Sequence, residues 1–452
     1  MKFNYLKHMK KKSTLLVLFL LVMSAHAQKK WTLQECIDYA LANNITLQQN
    51  KITSAQRGLD VEASKAALFP NVNFNTNQSV SYRPFSETTT SLTNGSMTST
   101  SSAVNYNGNY GVSAAWTIWN GNRNRNNIKS SEMNKQLSDL QTEQTANSIQ
   151  EQITQLYIQI LYQKEAVKVD SEIIKQSIIQ RDRANEMLKV GSIAKVDVAQ
   201  LEAQVTQDQY TLIRTKSQLE NYKLQLKQLL EIHGDDDFDV TAPEVSDKAV
   251  LAAIPSKSSV YETALNIRPE IQTNKLNIDA AKLDEKIAKS GYLPTISMNA
   301  SVSSSNSSGR NTNFGKQLKK NWSNSMGITI SMPIFDQKQT KTAISKAKLN
   351  TQNSELELLS TQKRLYSEIE NYWLDATTAQ QQYISAKSNV ASMKESYELV
   401  SEQFKLGLKN IVELTTGKNN LLSAQQQMLQ SKYTALYNIS MLHFYEGQKI
   451  KL

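Results

Sequence analysis

Residues 65–82 read Lys65-Ala-Ala-Leu-Phe-Pro70 and then Asn71-Val-Asn-Phe-Asn-Thr-Asn-Gln-Ser-Val-Ser-Tyr82. The change of rhythm at Pro70 decides the fold. Beyond the proline the apolar period is two, the spacing of a strand. Val72, Phe74, Thr76, Val80 and Tyr82 share one face, and Asn71, Asn73, Asn75, Asn77, Ser79 and Ser81 share the other. The approach to this strand is written twice. Lys289-Ser-Gly-Tyr-Leu-Pro294 repeats it at an offset of 224, as Ala264-Leu265 repeats Ala40-Leu41 and Asn274-Lys275 repeats Asn50-Lys51. Further on the offset becomes 216: Ile118-Trp-Asn-Gly121 returns as Ile334-Phe-Asp-Gln337, Lys189-Val-Gly191 as Lys405-Leu-Gly407, and Val196-Asp-Val198 as Val412-Glu-Leu414. The change falls in a Ser/Thr-rich stretch, where length variation is tolerated. Two homologous halves, 28–230 and 258–452, are therefore expected, joined by a linker over 231–257. Each runs helix, two strands, a very long helix and a returning helix.

Strands are expected at about 71–83, 103–119, 295–304 and 321–335. In the second, Val104, Tyr106, Tyr110, Val112, Ala114, Trp116 and Ile118 oppose Asn105, Asn107, Asn109, Ser113 and Thr117. In the second half Ile296, Met298, Ala300 and Val302, then Trp322, Met326, Ile328, Ile330 and Met332, alternate with Ser, Asn and Thr. The polar faces carry almost no charge, and the apolar faces bear aromatics near their ends. That composition suits a lipid-facing surface with aromatic girdles around a wet lumen. The stretches Ser86–Ser102 and Ser303–Asn313 then read as loops on the outer side. Lys319-Lys320 beside Trp322 reads as a strand end at the headgroup level. Four strands cannot close a barrel and lipid tolerates no open edge, so spanning strands require a barrel shared among subunits.

Arg123 to Lys189 holds neither Gly nor Pro and spans roughly 100 Å as a helix. Ile149, Ile153, Leu156, Ile160, Val167, Ile174 and Ile178 form a near-heptad stripe. Tyr383, Ala386, Val390, Met393, Tyr397, Val400 and Phe404 form a stricter one, which predicts coiled-coil packing. Gly191 and Gly407 end the long helices, and returning helices follow at Ala194–Leu230 and Ile411–Tyr445. Thr32-Leu-Gln-Glu35 opens the first helix as a capping box.

The first 27 residues are expected to be a signal peptide. A basic segment with Lys2, Lys7, Lys10, Lys11 and Lys12 precedes the apolar run Leu15–Met23 and Ala25-His-Ala27. The chain carries +10 formally; setting aside these five lysines leaves +5, with no dense basic patch for nucleic acid. No later stretch reaches the ~20 apolar residues of a spanning helix. The single cysteine, Cys36, forms no internal disulfide and reads as a small apolar helix residue. His233 and His443 are the only histidines after residue 27, and no zinc cluster, nucleophile elbow or phosphate loop accompanies them. No catalytic residue, metal or cofactor is therefore implied. Asp235, Asp236, Asp237 and Asp239 lack calcium-loop spacing and read as a solvated inter-repeat loop.

These residues resemble the TolC family of outer-membrane efflux proteins over the whole mature chain. The resemblance rests on Thr32-Leu-Gln-Glu-Cys-Ile-x-x-Ala-Leu-Ala-Asn-Asn44, the approaches ending at Pro70 and Pro294, the exits Ile118-Trp-Asn-Gly121 and Pro333-Ile-Phe-Asp336, and the turns Val190-Gly-x5-Asp197 and Leu406-Gly-x5-Glu413. It implies a mixed α and β membrane protein: a homotrimer in which each chain gives four antiparallel strands to a twelve-stranded barrel in outer-membrane lipid. Long coiled-coil helices continue it across the periplasm. The implied role is a passive conduit working with a periplasmic adaptor protein and an inner-membrane transporter. The resemblance also implies a gate around the two glycine turns, at Asp197, Phe404, Lys409 and Glu413. A threefold ring of Glu413 would attract cations, and Lys409 would latch onto a neighbouring coil. Phe404 lacks the hydroxyl often found there, and Thr416 stands where some members carry a second acid. Both acids also sit where a first-turn carboxylate offsets the helix dipole. The competing reading is a periplasmic coiled-coil scaffold or adaptor with a soluble β-domain, which leaves the apolar strand faces in water.

Overall fold

The computed structural model describes residues 30–85, 89–93, 96–100, 103–234, 237–308 and 312–451. The expected signal peptide lies outside them. The described elements are β1 (Lys30–Trp31), α1 (Leu33–Asn43), α2 (Ile45–Ala66), β2 (Asn71–Tyr82), β3 (Thr89–Thr93), β4 (Ser96–Thr100), β5 (Val104–Asn120), α3 (Arg123–Lys189) and α4 (Lys195–Leu229). They continue with β6 (Asp239–Val240), α5 (Asp247–Val250), α6 (Lys257–Ile267), α7 (Pro269–Lys289), β7 (Thr295–Ser307), α8 (Phe314–Lys320), β8 (Ser323–Ser331), α9 (Gln339–Lys405) and α10 (Ile411–Tyr445). The chain divides into two compact units. One holds residues up to Lys51, Leu140–Gln272 and Leu359 onward; the other holds Ile52–Asp139 and Thr273–Leu358.

The second unit carries an antiparallel sheet of order β2-β5-β7-β8. Pairing fixes its faces, because directly opposed residues point the same way. Phe74 opposes Val112, and Val112 opposes Val302. Ala300 opposes Met326, Met298 opposes Ile328 and Ile296 opposes Ile330. The result is one continuous apolar face on which Phe74, Met326, Ile328 and Ile330 are exposed. Against it stands a face of Asn, Ser and Thr. The turn into β2 is held where the Trp116 indole N–H donates to the Leu68 carbonyl at 2.7 Å. Pro70 and Pro294 each sit one residue before a strand, where a proline bars helix in the residue ahead of it.

Several local expectations change. The stretch Ser86–Ser102 holds a ladder, Thr89–Thr93 against Ser96–Thr100, in which Thr supplies the β-branched residues that suit a pleated strand. Ser303–Ser307 are strand, paired to β5 as far as Asn107 opposite Ser307. Lys319 and Lys320 do not end a strand but close the helix α8, which Asn313 starts by accepting from the Lys316 N–H at 3.0 Å. The last strand stops at Ser331, short of 335, since Pro333 has no N–H to give a ladder.

In the first unit Thr32 and Glu35 close the expected capping box on α1. Both long helices have 67 residues and both returning helices 35. The predicted seam on α9 holds: Tyr383, Tyr397 and Phe404 are buried. The predicted seam on α3 shifts. Ile149, Ile153 and Ile160 are buried as expected, but farther along Val167, Ile174 and Ile178 give way to Ala166, Asp170, Ile173, Ser177 and Ala184. The polar members win those places because each finds a partner on α4: Asp170 accepts from the Thr215 hydroxyl at 2.6 Å, and the Ser177 hydroxyl donates to Asp208 at 2.5 Å. The segment 231–257 is more than a linker. Lys30–Trp31 pairs in parallel with Asp239–Val240, and Asp239 meets Lys164 at 2.6 Å. Burial works to raise the Asp239 carboxyl, yet the hydrogen bond and charge of Lys164 outweigh it and hold it low. Asp235 and Asp236 lie outside the described residues.

Candidate gate at the helix turns

The turn after each long helix is built the same way. Gly191 and Gly407 adopt φ +74° and +73°, the left-handed region that glycine enters without steric penalty. Each closes a Schellman motif: Ser192 N–H reaches the Met187 carbonyl at 2.9 Å and Gly191 the Leu188 carbonyl at 3.0 Å, while Leu408 reaches Gln403 at 2.9 Å and Gly407 reaches Phe404 at 3.0 Å. A methyl at either glycine would meet nothing within 4 Å, so only the backbone angle demands glycine there.

Above the turns the two hairpins share one apolar cluster. Ala184, Val198 and Leu201 from the first pack with Tyr397, Phe404, Ile411, Leu414 and Leu421 from the second. Phe404 is thus a packing residue, buried at 5% exposure. The acids cap their own helices. Glu413 accepts from the Asn410 N–H at 3.2 Å, and Asn410 accepts from the Glu413 N–H at 2.9 Å, a full capping box. Asp197 makes half of one, accepting from the Ala194 N–H at 3.2 Å, because alanine offers no side-chain acceptor in return. Lys409 was expected to reach a neighbouring coil; within the chain it pairs with Glu413, four residues on, at 2.5 Å. That bond, then the Asn410 N–H, hold the Glu413 carboxyl below the ordinary carboxylate range. Thr416 is exposed.

The sequence reading missed a buried charge nearby. Lys418 on α10 is 1% exposed and donates to Asp208 at 2.6 Å and to Ser177 at 2.9 Å. Burial pushes its ammonium down, and Asp208 pulls it back up. The signal was present as spacing: Val198, Leu201, Val205 and Asp208 step by 3, 4 and 3, and Leu414, Lys418 and Leu421 step by 4 and 3. A charge standing on a coiled-coil seam demands a partner. The 216 offset gave no help, because it sets Lys418 opposite Glu202 and Asp208 opposite Ala424.

A sheet apolar on one face and polar on the other, joined in one chain to two long helical hairpins, is the build of an outer-membrane channel protein. Known proteins agree. The family described as outer membrane efflux protein matches residues 36–231 and again 260–444. The chain belongs to that family, proteins of the outer membrane that extend into the periplasm. It is 21% identical to the outer membrane efflux protein BepC of Brucella suis biovar 1, over 91% of this chain and 84% of that one. It is 22% identical to TolC of Salmonella enteritidis, over 73% and 72% of the two chains. The fold superposes on VceC of Vibrio cholerae with a TM-score of 0.76 at 13% identity, covering 93% of this chain and 97% of that one.

Proposed function

We propose that the protein is the outer-membrane exit duct of a tripartite efflux or secretion system, a passive conduit and not an enzyme. The carrying observation is the sheet: four antiparallel strands, apolar on one face, with β2 and β8 as its two edges. Lipid admits neither an open edge nor a polar outer face. Three copies joined β2 to β8 satisfy both demands, giving a twelve-stranded barrel continued by the helical hairpins. Relatives named as an alkaline protease secretion protein and as the outer membrane protein of a probable efflux pump support a periplasmic adaptor and an inner-membrane transporter as partners. Two homologous halves supply this architecture. Left-handed residues pair at the 216 offset: Gly121 with Gln337, Asn122 with Lys338, Gly191 with Gly407, and Glu231 with Gly447.

The gate in this reading is the turn region, with Glu413 lining the constriction, Lys409 restraining it, Asp197 on the opposing turn and Phe404 packing behind. Single-channel conductance in planar bilayers tests it. Small cation-selective currents are expected, with cation selectivity weakened in Glu413→Ala and conductance enlarged in Lys409→Ala. Absence of current from protein that stays soluble without detergent would overturn the conduit.

A further inference from the structure

The helix α8 lies on the apolar face of the sheet, the face assigned to lipid under the conduit reading on which this inference rests. Its Phe314 ring stands edge-on to Tyr110 at 6.1 Å. Ser304 donates to the Leu318 carbonyl at 2.7 Å, and Gln317 accepts from the Ser307 N–H at 2.8 Å. Asn321 donates to the Ser305 carbonyl at 2.6 Å. These bonds fix the helix against the end of β7, so it is a built part of the sheet face. Beneath it opens a cleft of about 730 Å³ lined by Phe74, Val112, Val302, Leu318, Lys319 and Trp322. Tyr110, Gly111, Ser303 and Ser304 complete the lining, which is predominantly apolar.

The chemistry of the rim points one way. At 100° per residue Phe314, Gln317 and Leu318 share the inner side of α8, and Lys316, Lys319 and Lys320 share the outer. All three lysines are exposed, and among the described residues none of them makes an ion pair. No Asp or Glu occurs anywhere between Thr295 and Phe335. An uncompensated cationic rim over an apolar cleft on a lipid-facing wall matches an amphiphile with an anionic head and hydrocarbon tails.

We propose that α8 and the cleft beneath it form a lipid site: an acyl chain enters along Phe74, Val112 and Val302, and Lys316, Lys319 and Lys320 hold the phosphate of its headgroup. The occupant is a phosphate-bearing anionic lipid of the outer leaflet, and the site anchors the barrel at that depth. Trp322 reports on it directly.

Purified protein is placed in phosphatidylcholine bilayers holding a minor fraction of either brominated phosphatidylglycerol or brominated phosphatidylcholine, and fluorescence quenching is compared between wild type and Trp322→Phe. The expected result is stronger quenching of Trp322 by the anionic lipid. The preference should fall roughly five-fold for each lysine changed to Gln, and Lys319→Arg should keep it. Equal quenching by both lipids, with the other tryptophans quenched normally, would overturn the lipid site and leave the barrel standing. Absence of quenching at every tryptophan would remove the lipid-facing wall, and the site with it.

Discussion

The residues that matter most to stability are those that do locally unfavourable things. Lys418 is one. Changing it to Met leaves the Asp208 carboxylate buried without a cation, a loss of about 3–5 kcal/mol. Thermal unfolding in detergent should show Lys418→Met strongly destabilised and Lys418→Met with Asp208→Leu largely recovered, since an apolar pair of similar size fits a coiled-coil seam. Left-handed residues give a second test. Glu231 (φ +57°) holds the place that Gly447 (φ +81°) holds 216 residues later. Glu231→Gly should stabilise the end of α4 by about 1 kcal/mol, and Gly191→Ala should destabilise the end of α3 by a similar amount. Equal melting temperatures for the two variants would refute the backbone argument. The sequence displayed the glycines plainly. It hid the strain at Glu231 and Gln337, because only the neighbouring chain path forces those residues into the left-handed region.

At the scale of elements, the start of α10 couples its cap to pH. Glu413 has a lowered pKa in the folded chain, so its stabilisation is complete above the unfolded carboxyl value of about 4.3. It is lost as pH falls through the lowered folded value. Between pH 6 and 3 the wild type should lose thermal stability relative to Glu413→Gln, whose cap does not titrate. Parallel profiles would exclude the ion pair as its source. Much at this scale was legible beforehand. Strand faces follow from period two, and the ends of the long helices from Gly191 and Gly407. The α3 seam was not, since polar Asp170 and Ser177 occupy seam positions and the reading favoured the isoleucines beside them. The helix α8 was missed because seven residues give too few turns for a periodic signal.

For the whole molecule, the open edges make a direct prediction about assembly. Cysteines introduced at Asn75 on β2 and Thr329 on β8 should link copies into a ladder ending at a covalent trimer when oxidised in membranes. The native Cys36 is fully buried and contributes no background. Products stopping at dimer would overturn closure by three copies. The sequence spoke clearly about the need for partners, through four strands that cannot close alone. It was silent on the gate, because Asp197 and Glu413 satisfy the chemistry of a helix cap whether or not they face a pore.

The matched lengths of the two hairpins, 67 and 35 residues in each, also limit how such a chain can drift. Residues from both tips meet in one cluster, Ala184 and Leu201 against Phe404 and Leu414. Removing a heptad from one hairpin alone would strand its tip about 10 Å short of the other. Lineages can therefore lengthen or shorten this protein only by twinned edits in both hairpins, whereas point substitutions on the exposed helix faces remain free to accumulate. Relatives should differ widely in letters and hardly at all in the count between turns.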